Sequence, residues 1–154
     1  MRTLTQILII SLLGFLVGCG GGQSRIDQIK EASRIEPADP YENWASNHGI
    51  GPIEAFELPA EIDQTQALEG EAIYEAKCTA CHKIEKKFIG PAPKGILEKR
   101  TPAWVMNMIL NPEEMVQKDP MAKKLLIEYN GSPMANQNLT LEEARAVLEY
   151  FRTL

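Results

Sequence analysis

Five consecutive residues, Cys78-Thr79-Ala80-Cys81-His82, constrain the fold of this chain more than any other feature of its sequence. Cys78 and Cys81 are three positions apart, so on a helical turn both sulfurs face the same side and can reach the two vinyl groups of one porphyrin. His82, four positions after Cys78, would then lie over the iron. The spacing Cys-x-x-Cys-His is that of covalent haem c attachment, and it predicts one haem c here.

A five-residue motif leaves three other uses of the two cysteines open: half of a zinc site, a thioredoxin-like dithiol or a structural disulfide. A zinc site needs two more ligands, and the only other Cys and His residues are Cys19 and His48. A thioredoxin-like dithiol accompanies alternating strands and helices, a pattern that this sequence lacks. The disulfide is therefore the main alternative to haem attachment.

The chain begins with a segment of signal-peptide character, residues 1–18. Arg2 precedes an apolar run over residues 4–17 that is too short to span a bilayer comfortably. The run ends in Leu16-Val17-Gly18-Cys19, which resembles the lipobox of bacterial lipoproteins and implies that Cys19 is acylated as the first residue of the mature protein. More than one acyl chain anchors a protein stably to a membrane. An ordinary secretory leader or an uncleaved anchor helix is the alternative.

The rest of the chain divides in two by composition. Residues 19–63 hold three consecutive glycines, four prolines and an excess of acidic residues, and we expect an acidic tether there. Residues 41–53 are less polar, so we expect them to pack on the following domain or on a partner. Residues 64–154 have a helical pattern and form the predicted domain. A core of this size is thin, and a covalent haem would supply part of its apolar mass.

Several helices are marked by the residues at their ends. Thr140 and Glu143 have the spacing of a capping box at the start of the last helix. Another helix is expected over residues 101–111, opened by Pro102 in its first turn and stopped by the proline that follows. A further short helix follows Pro120. No strand pattern of useful length accompanies them, so the sequence predicts an all-α fold.

From about residue 66 onward the chain resembles the class I c-type cytochromes. The first helix of that family carries a glycine and, four positions later, an aromatic residue, as Gly70 and Tyr74 do here. Its last helix crosses that glycine with a pair such as Val147 and Tyr150. The resemblance implies the class I cytochrome c fold, with three to five helices around a covalently bound haem. Gly70 would let the two backbones approach closely.

The same resemblance implies the ligands of the iron. His82 would be the proximal ligand, and the carbonyl of Pro91 would accept a hydrogen bond from the second ring nitrogen of His82. The sixth ligand would be Met134, in the loop before the last helix, although the proline usual after that methionine is here Ala135. Other possibilities for the sixth position are an open site, Met115, Met121 and His48.

Ligation by His and Met raises the reduction potential relative to two histidines and leaves no open iron position for a substrate. The resemblance therefore implies a one-electron carrier rather than an enzyme, tethered in the bacterial cell envelope with its haem domain in the periplasm or otherwise outside the cytoplasm. The chain also resembles small cytochromes encoded beside terminal reductases, including nitrous oxide reductase, which makes such a reductase a candidate electron acceptor. Two alternatives stay open: a haem enzyme or sensor (a peroxidase or gas-binding protein) with a displaceable sixth ligand, and a non-haem lipoprotein with a disulfide between the motif cysteines.

Charge indicates the kind of partner. Removal of Arg2 with the leader leaves 15 basic and 21 acidic residues. An acidic chain of pI about 5.1 is not suited to nucleic-acid binding. Residues 83–100 are the exception, with six basic residues and two acidic ones. This basic stretch follows the motif directly, and two interpretations stay open: a rim around the haem edge that steers an acidic redox protein partner, or a plain solvated face.

Overall fold

The computed structural model describes residues 39–154, so the predicted signal peptide, Cys19 and the first part of the predicted tether lie outside the described residues. Five helices follow one another, and they are α1 Gln64–Lys77, α2 Pro102–Leu110, α3 Pro112–Lys118, α4 Pro120–Glu128 and α5 Leu141–Phe151. Short 3-10 turns occupy Trp44–Ser46 and Ile96–Glu98. No strand occurs among residues 39–154, and the all-α prediction is confirmed. Within the same range, no helix has the length and apolar character needed to cross a membrane.

The ends of the helices follow from short-range chemistry. The hydroxyl of Thr140 accepts from the backbone N–H of Glu143, and the Glu143 carboxylate accepts from the N–H of Thr140, so the predicted capping box is confirmed. Thr101 caps α2 by a single bond, its hydroxyl accepting from the N–H of Trp104, with Pro102 in the first turn. Pro112 does more than end α2, because it also begins α3, a helix that the sequence did not predict. A first-turn residue needs no N–H, so proline suits that position.

Helices α1 and α5 cross closely at Gly70. A Cβ atom at Gly70 would lie less than 3.0 Å from the backbone of Ala146 and Val147, closer than real Cβ atoms come, so only glycine fits there. Beside the crossing, the ring of Tyr74 lies 5.5 Å from that of Tyr150 and 5.8 Å from that of Phe151, between centroids. The predicted contact between the first and last helices is confirmed.

Residues 39–63, which we call the strap, lie along the helical domain. Hydrogen bonds to Asn107, a fully buried side chain in α2, hold the strap in place. Its Oδ1 accepts from the backbone N–H of Ile53 at 3.0 Å, and its Nδ2 donates to the carbonyls of His48 and Ile53 at 2.8 and 2.9 Å. Every polar atom of this buried amide is thereby used. The apolar part of the predicted tether thus packs on the domain rather than only on a partner.

The far end of the strap is held by Glu149 of α5, whose side chain is 0% exposed. Its carboxylate accepts from the backbone N–H of Asp63 at 2.8 Å and pairs with Arg145 and Arg152. Burial alone raises the pKa of Glu149, but the hydrogen bonds from Arg145 and Asp63 and the two positive charges hold that pKa below its ordinary value. Arg152 also donates to the carbonyl of Pro59 at 2.6 Å, so this network joins the strap, α1 and α5.

Candidate haem-attachment site

The Cys-x-x-Cys-His motif forms one tight turn directly after α1. The N–H of Cys78 donates to the carbonyl of Tyr74 at 2.9 Å, which continues the helical hydrogen bonding by one residue. The carbonyl of Cys78 then accepts from the N–H of Cys81 at 3.0 Å and from that of His82 at 2.9 Å. The end of α1 therefore brings the two cysteines and the histidine onto the same turn.

Both motif cysteines carry free thiols in this structure, Cys78 half-buried and Cys81 exposed. No disulfide joins them in this structure. Burial raises the pKa of the Cys78 thiol, against the opposing charge of Lys77, so the neutral thiol is favoured. Two free thiols on one turn are the donor set that thioether attachment of a haem requires.

The imidazole of His82 is fixed from two directions. Its Nδ1 lies 2.8 Å from the carbonyl oxygen of Pro91, which can only accept, so Nδ1 carries the proton and Nε2 keeps a lone pair. The ring also packs on Gly90, where a Cβ would lie less than 3.0 Å from Cε1 of His82. The N–H of Gly90 donates to the carbonyl of Cys81 at 2.9 Å, which ties this turn to the motif. These residues fit a haem iron on the Nε2 side of the ring.

Met134 lies in the segment between α4 and α5, where residues 132–140 adopt neither helix nor strand. Its side chain is half-buried and packs against the hydrophobic core. The segment begins with two residues of positive φ, Asn130 at 58° and Gly131 at 72°, which turn the chain sharply away from α4. Met134 is therefore the half-buried thioether that this loop presents.

The other candidate ligands have different surroundings. Met115 is 0% exposed, its sulfur lies 2.9 Å from the N–H of Ile50, and Gly49 packs over it. Met121 is likewise fully buried in the core. His48 is half-buried, and its Nδ1 is buried without a hydrogen-bond partner among residues 39–154. Met115 and Met121 have their thioethers committed to packing, which distinguishes them from Met134.

The basic stretch from residue 83 to residue 100 is less uniform than its sequence suggests. Arg100 is only 7% exposed and packs over the rings of Tyr41 and Trp104, so it does not belong to a basic rim, one of the two interpretations of this stretch. Lys94 pairs with Glu85 at 2.6 Å. Exposed apolar side chains lie within the same stretch, since Phe88 and Ile89 are 49% and 47% exposed, and Lys83 lies over the Phe88 ring.

The sequence profile of the cytochrome c family matches residues 67–154 of this chain. A cytochrome c from Rhodothermus marinus is 41% identical, with a TM-score of 0.65, over 75% of this chain and 96% of that chain. An engineered form of it, bound to a carbene intermediate, is 40% identical over the same shares, with a TM-score of 0.63. The cytochrome c domain of a Pseudomonas putida protein is 30% identical, with a TM-score of 0.51, over 55% and 85% of the two chains. No curated protein matches this chain.

Proposed function

Because this chain belongs to the cytochrome c family, we propose that it is a membrane-tethered monohaem carrier that passes single electrons between redox proteins of a bacterial respiratory chain. Family membership implies one covalently bound haem c, and Cys78 and Cys81 fit its attachment. The haem supplies the one-electron couple, while the protein sets its ligands and its surroundings.

The observation that carries this proposal is the fixed orientation of His82. A histidine that donates through Nδ1 to the carbonyl of Pro91 offers a single, basic nitrogen to the iron. Gly90 leaves room for the ring in this orientation, because a side chain there would collide with it. In our proposal, His82 is the proximal ligand and Pro91 keeps it in one tautomer through both oxidation states.

Met134 is the proposed sixth ligand. Support comes from its half-buried position in a loop, together with the packing of Met115 and Met121 in the core. An iron with a histidine and a thioether ligand has both axial positions filled, so such a site transfers electrons without binding a substrate molecule. The exposed Phe88 and Ile89 beside the motif give a partner an apolar surface near the haem.

The tether, the location and the partner complete the proposal. Acylation of Cys19 would anchor the chain to a membrane through the predicted lipoprotein signal, with residues 19–38 as the spacer ahead of the strap. The haem domain would then work in the periplasm or otherwise outside the cytoplasm. A terminal reductase, of which nitrous oxide reductase is the example, is our proposed electron acceptor.

The test compares the visible spectra of the ferric holoprotein and of three matched variants. Met134→Leu removes the thioether at nearly constant volume, while Met115→Leu and Met121→Leu make the same change in the core. We expect the weak ferric band that signals sulfur ligation to disappear in Met134→Leu alone, with a lower midpoint potential. Loss of the band in Met115→Leu or Met121→Leu instead would move the ligand there, and its retention in all three variants would refute thioether ligation.

One observation favours a second function. The engineered Rhodothermus marinus cytochrome holds a carbene intermediate, so a related protein can bind a small reactive group. This favours the alternative of a haem enzyme or gas-binding sensor whose sixth ligand is displaceable. Carbon monoxide distinguishes the two functions. We expect ferrous Met134→Leu to bind it readily and the wild type to resist, whereas equally ready binding by both would support the enzyme or sensor.

A further inference from the structure

Two loops carry the proposed iron ligands, and they arrive from different parts of the chain. The His82 loop, residues 82–91, is tied to the motif through the bond between Gly90 and Cys81. The Met134 loop, residues 131–139, leaves the end of α4 and returns to α5. Whatever holds the second loop against the first decides how firmly a thioether on it can stay on the iron.

Few hydrogen bonds hold the Met134 loop. At its start, the N–H groups of Gly131 and Ser132 donate to the carbonyls of Leu126 and Tyr129, at 2.8 and 3.1 Å. Beyond Ser132, the only hydrogen bond from the loop to the rest of residues 39–154 runs from Asn136 to the Leu110 carbonyl, at a long 3.4 Å. Apolar packing of Met134 and Leu139 and the cap of α5 hold the rest of the loop, so its hydrogen bonds to the domain are concentrated at its start.

Lys87 of the His82 loop reaches across to that start. Its Nζ donates to the carbonyl of Glu128 at 2.7 Å and lies 4.3 Å from the centroid of the Tyr129 ring. Glu128 is the last residue of α4, where carbonyls lack helical partners and a positive charge is favoured by the helix dipole. One side chain thus binds the two residues that precede the turn at Asn130 and Gly131.

We propose that Lys87 is a positioning residue for the sixth ligand: it clamps the end of α4 to the His82 loop and so holds the Met134 loop closed over the iron. The proposal rests on ligation by Met134. Nothing in it requires Lys87 to touch the haem or an electron-transfer partner. Its effect is on the fraction of molecules in which the thioether has left the iron.

Imidazole binding to the ferric holoprotein measures that fraction, because imidazole competes with Met134 and its apparent affinity scales with the population of open molecules. We expect Lys87→Ala to bind imidazole about tenfold more tightly, from the loss of one charged hydrogen bond and one exposed cation–π contact. Lys87→Arg, which can donate to the same carbonyl, should stay within about twofold of wild type. Hydrogen exchange of residues 131–135 should accelerate in Lys87→Ala alone.

Lys86→Ala is the matched control, because Lys86 has no hydrogen bond, ion pair or cation–π contact with any residue in 39–154 and the variant removes the same charge from the same loop. Equal effects of Lys86→Ala and Lys87→Ala would reduce Lys87 to a general charge effect and overturn the proposal. Lys87→Ala is also combined with Met134→Leu. If Lys87 acts through the ligand, Lys87→Ala changes the imidazole affinity of the wild type but not that of Met134→Leu. An equal change in both proteins would overturn the role of Lys87 while leaving ligation by Met134 intact. Retention of the sulfur band in Met134→Leu would overturn the ligation and the clamp together.

Discussion

The two sides of the proposed iron site are held very differently. On the His82 side, a helix end, two backbone hydrogen bonds, the close contact with Gly90 and the carbonyl of Pro91 fix one imidazole. On the Met134 side, a loop without regular structure packs Met134 against the core, and Lys87 contacts only the end of α4 that precedes this loop. Hydrogen bonding fixes the His82 ring, whereas apolar packing alone holds the Met134 side chain.

The difference between the two sides follows from how each is connected to the helices. The close crossing of α1 and α5 at Gly70 fixes the helix that ends in the turn carrying the thiols and His82, although Cys81 in that turn is exposed. The sixth ligand needs no such support for attachment of the haem. A protein built in this way can retune or open its sixth position through surface contacts without endangering the attachment turn.

The largest effect is expected from Gly70→Ala, which disrupts the crossing of α1 and α5 on the His82 side. The added methyl group would meet the backbone of Ala146, which cannot rotate away, so α1 and α5 must separate. Despite the gain in helix propensity, we expect the free energy of unfolding to fall by about 3 kcal/mol. Urea denaturation of the holoprotein measures it. An unchanged midpoint would mean that the crossing tolerates more distance than the structure implies.

Acid should weaken the His82 side through Glu149. Because its folded pKa lies below its ordinary value of 4.5, the carboxylate stabilises the fold above that pH and loses the effect as pH falls through the folded pKa. We expect Glu149→Gln to cost about 2 kcal/mol at neutral pH and to show a shallower loss of stability in acid. Glu69→Gln, an exposed change on α1, should stay within about 0.5 kcal/mol. Parallel acid profiles for wild type and Glu149→Gln would contradict the assignment.

The smallest effects come from one substitution made on each side of the iron. Gly90→Ala places a methyl group against the His82 ring, and we expect a cost of about 1 to 2 kcal/mol with a shifted midpoint potential. At Gly131, an added methyl group would meet no atom within 4 Å, but alanine is strained at a φ of 72°. We expect Gly131→Ala to lower the free energy of unfolding by about 1 kcal/mol and to leave His82 undisturbed. Voltammetry and denaturation separate the two. A larger loss of stability in Gly131→Ala than in Gly90→Ala would contradict the tighter packing around His82.

The parts of the fold that sequence could predict are those fixed by short-range rules. The capping box of Thr140 and Glu143 and the proline start of α2 depend on neighbours within one turn. Helix α3 was missed because Pro112 both ends one helix and suits the first turn of the next, and composition does not separate these roles. The position of Gly70 was found through its resemblance to a family pattern, since nothing local marks a glycine as a crossing point.

The parts that sequence could not predict depend on distant partners. Asn107 bonds to residues more than fifty positions away, and the only sequence signal was an amide among apolar neighbours in α2. Arg100 and Lys87 looked like members of one solvated basic run, yet the first is buried against aromatic rings and the second spans two loops. Pattern and charge say which residues are polar, and only the fold says which of them meet.

The reach of Arg152 has a consequence for the order of folding. This side chain donates to the carbonyls of Pro59 and Ala60, 93 and 92 positions earlier in the chain. Contacts of such separation close slowly compared with a single helical turn. The last residues of the strap therefore gain their hydrogen bonds to α5 late, whereas the turn that carries the two thiols needs only hydrogen bonds between near neighbours. That turn can form before the long-range contacts, so the thiols can be presented to a bulky planar group early in folding.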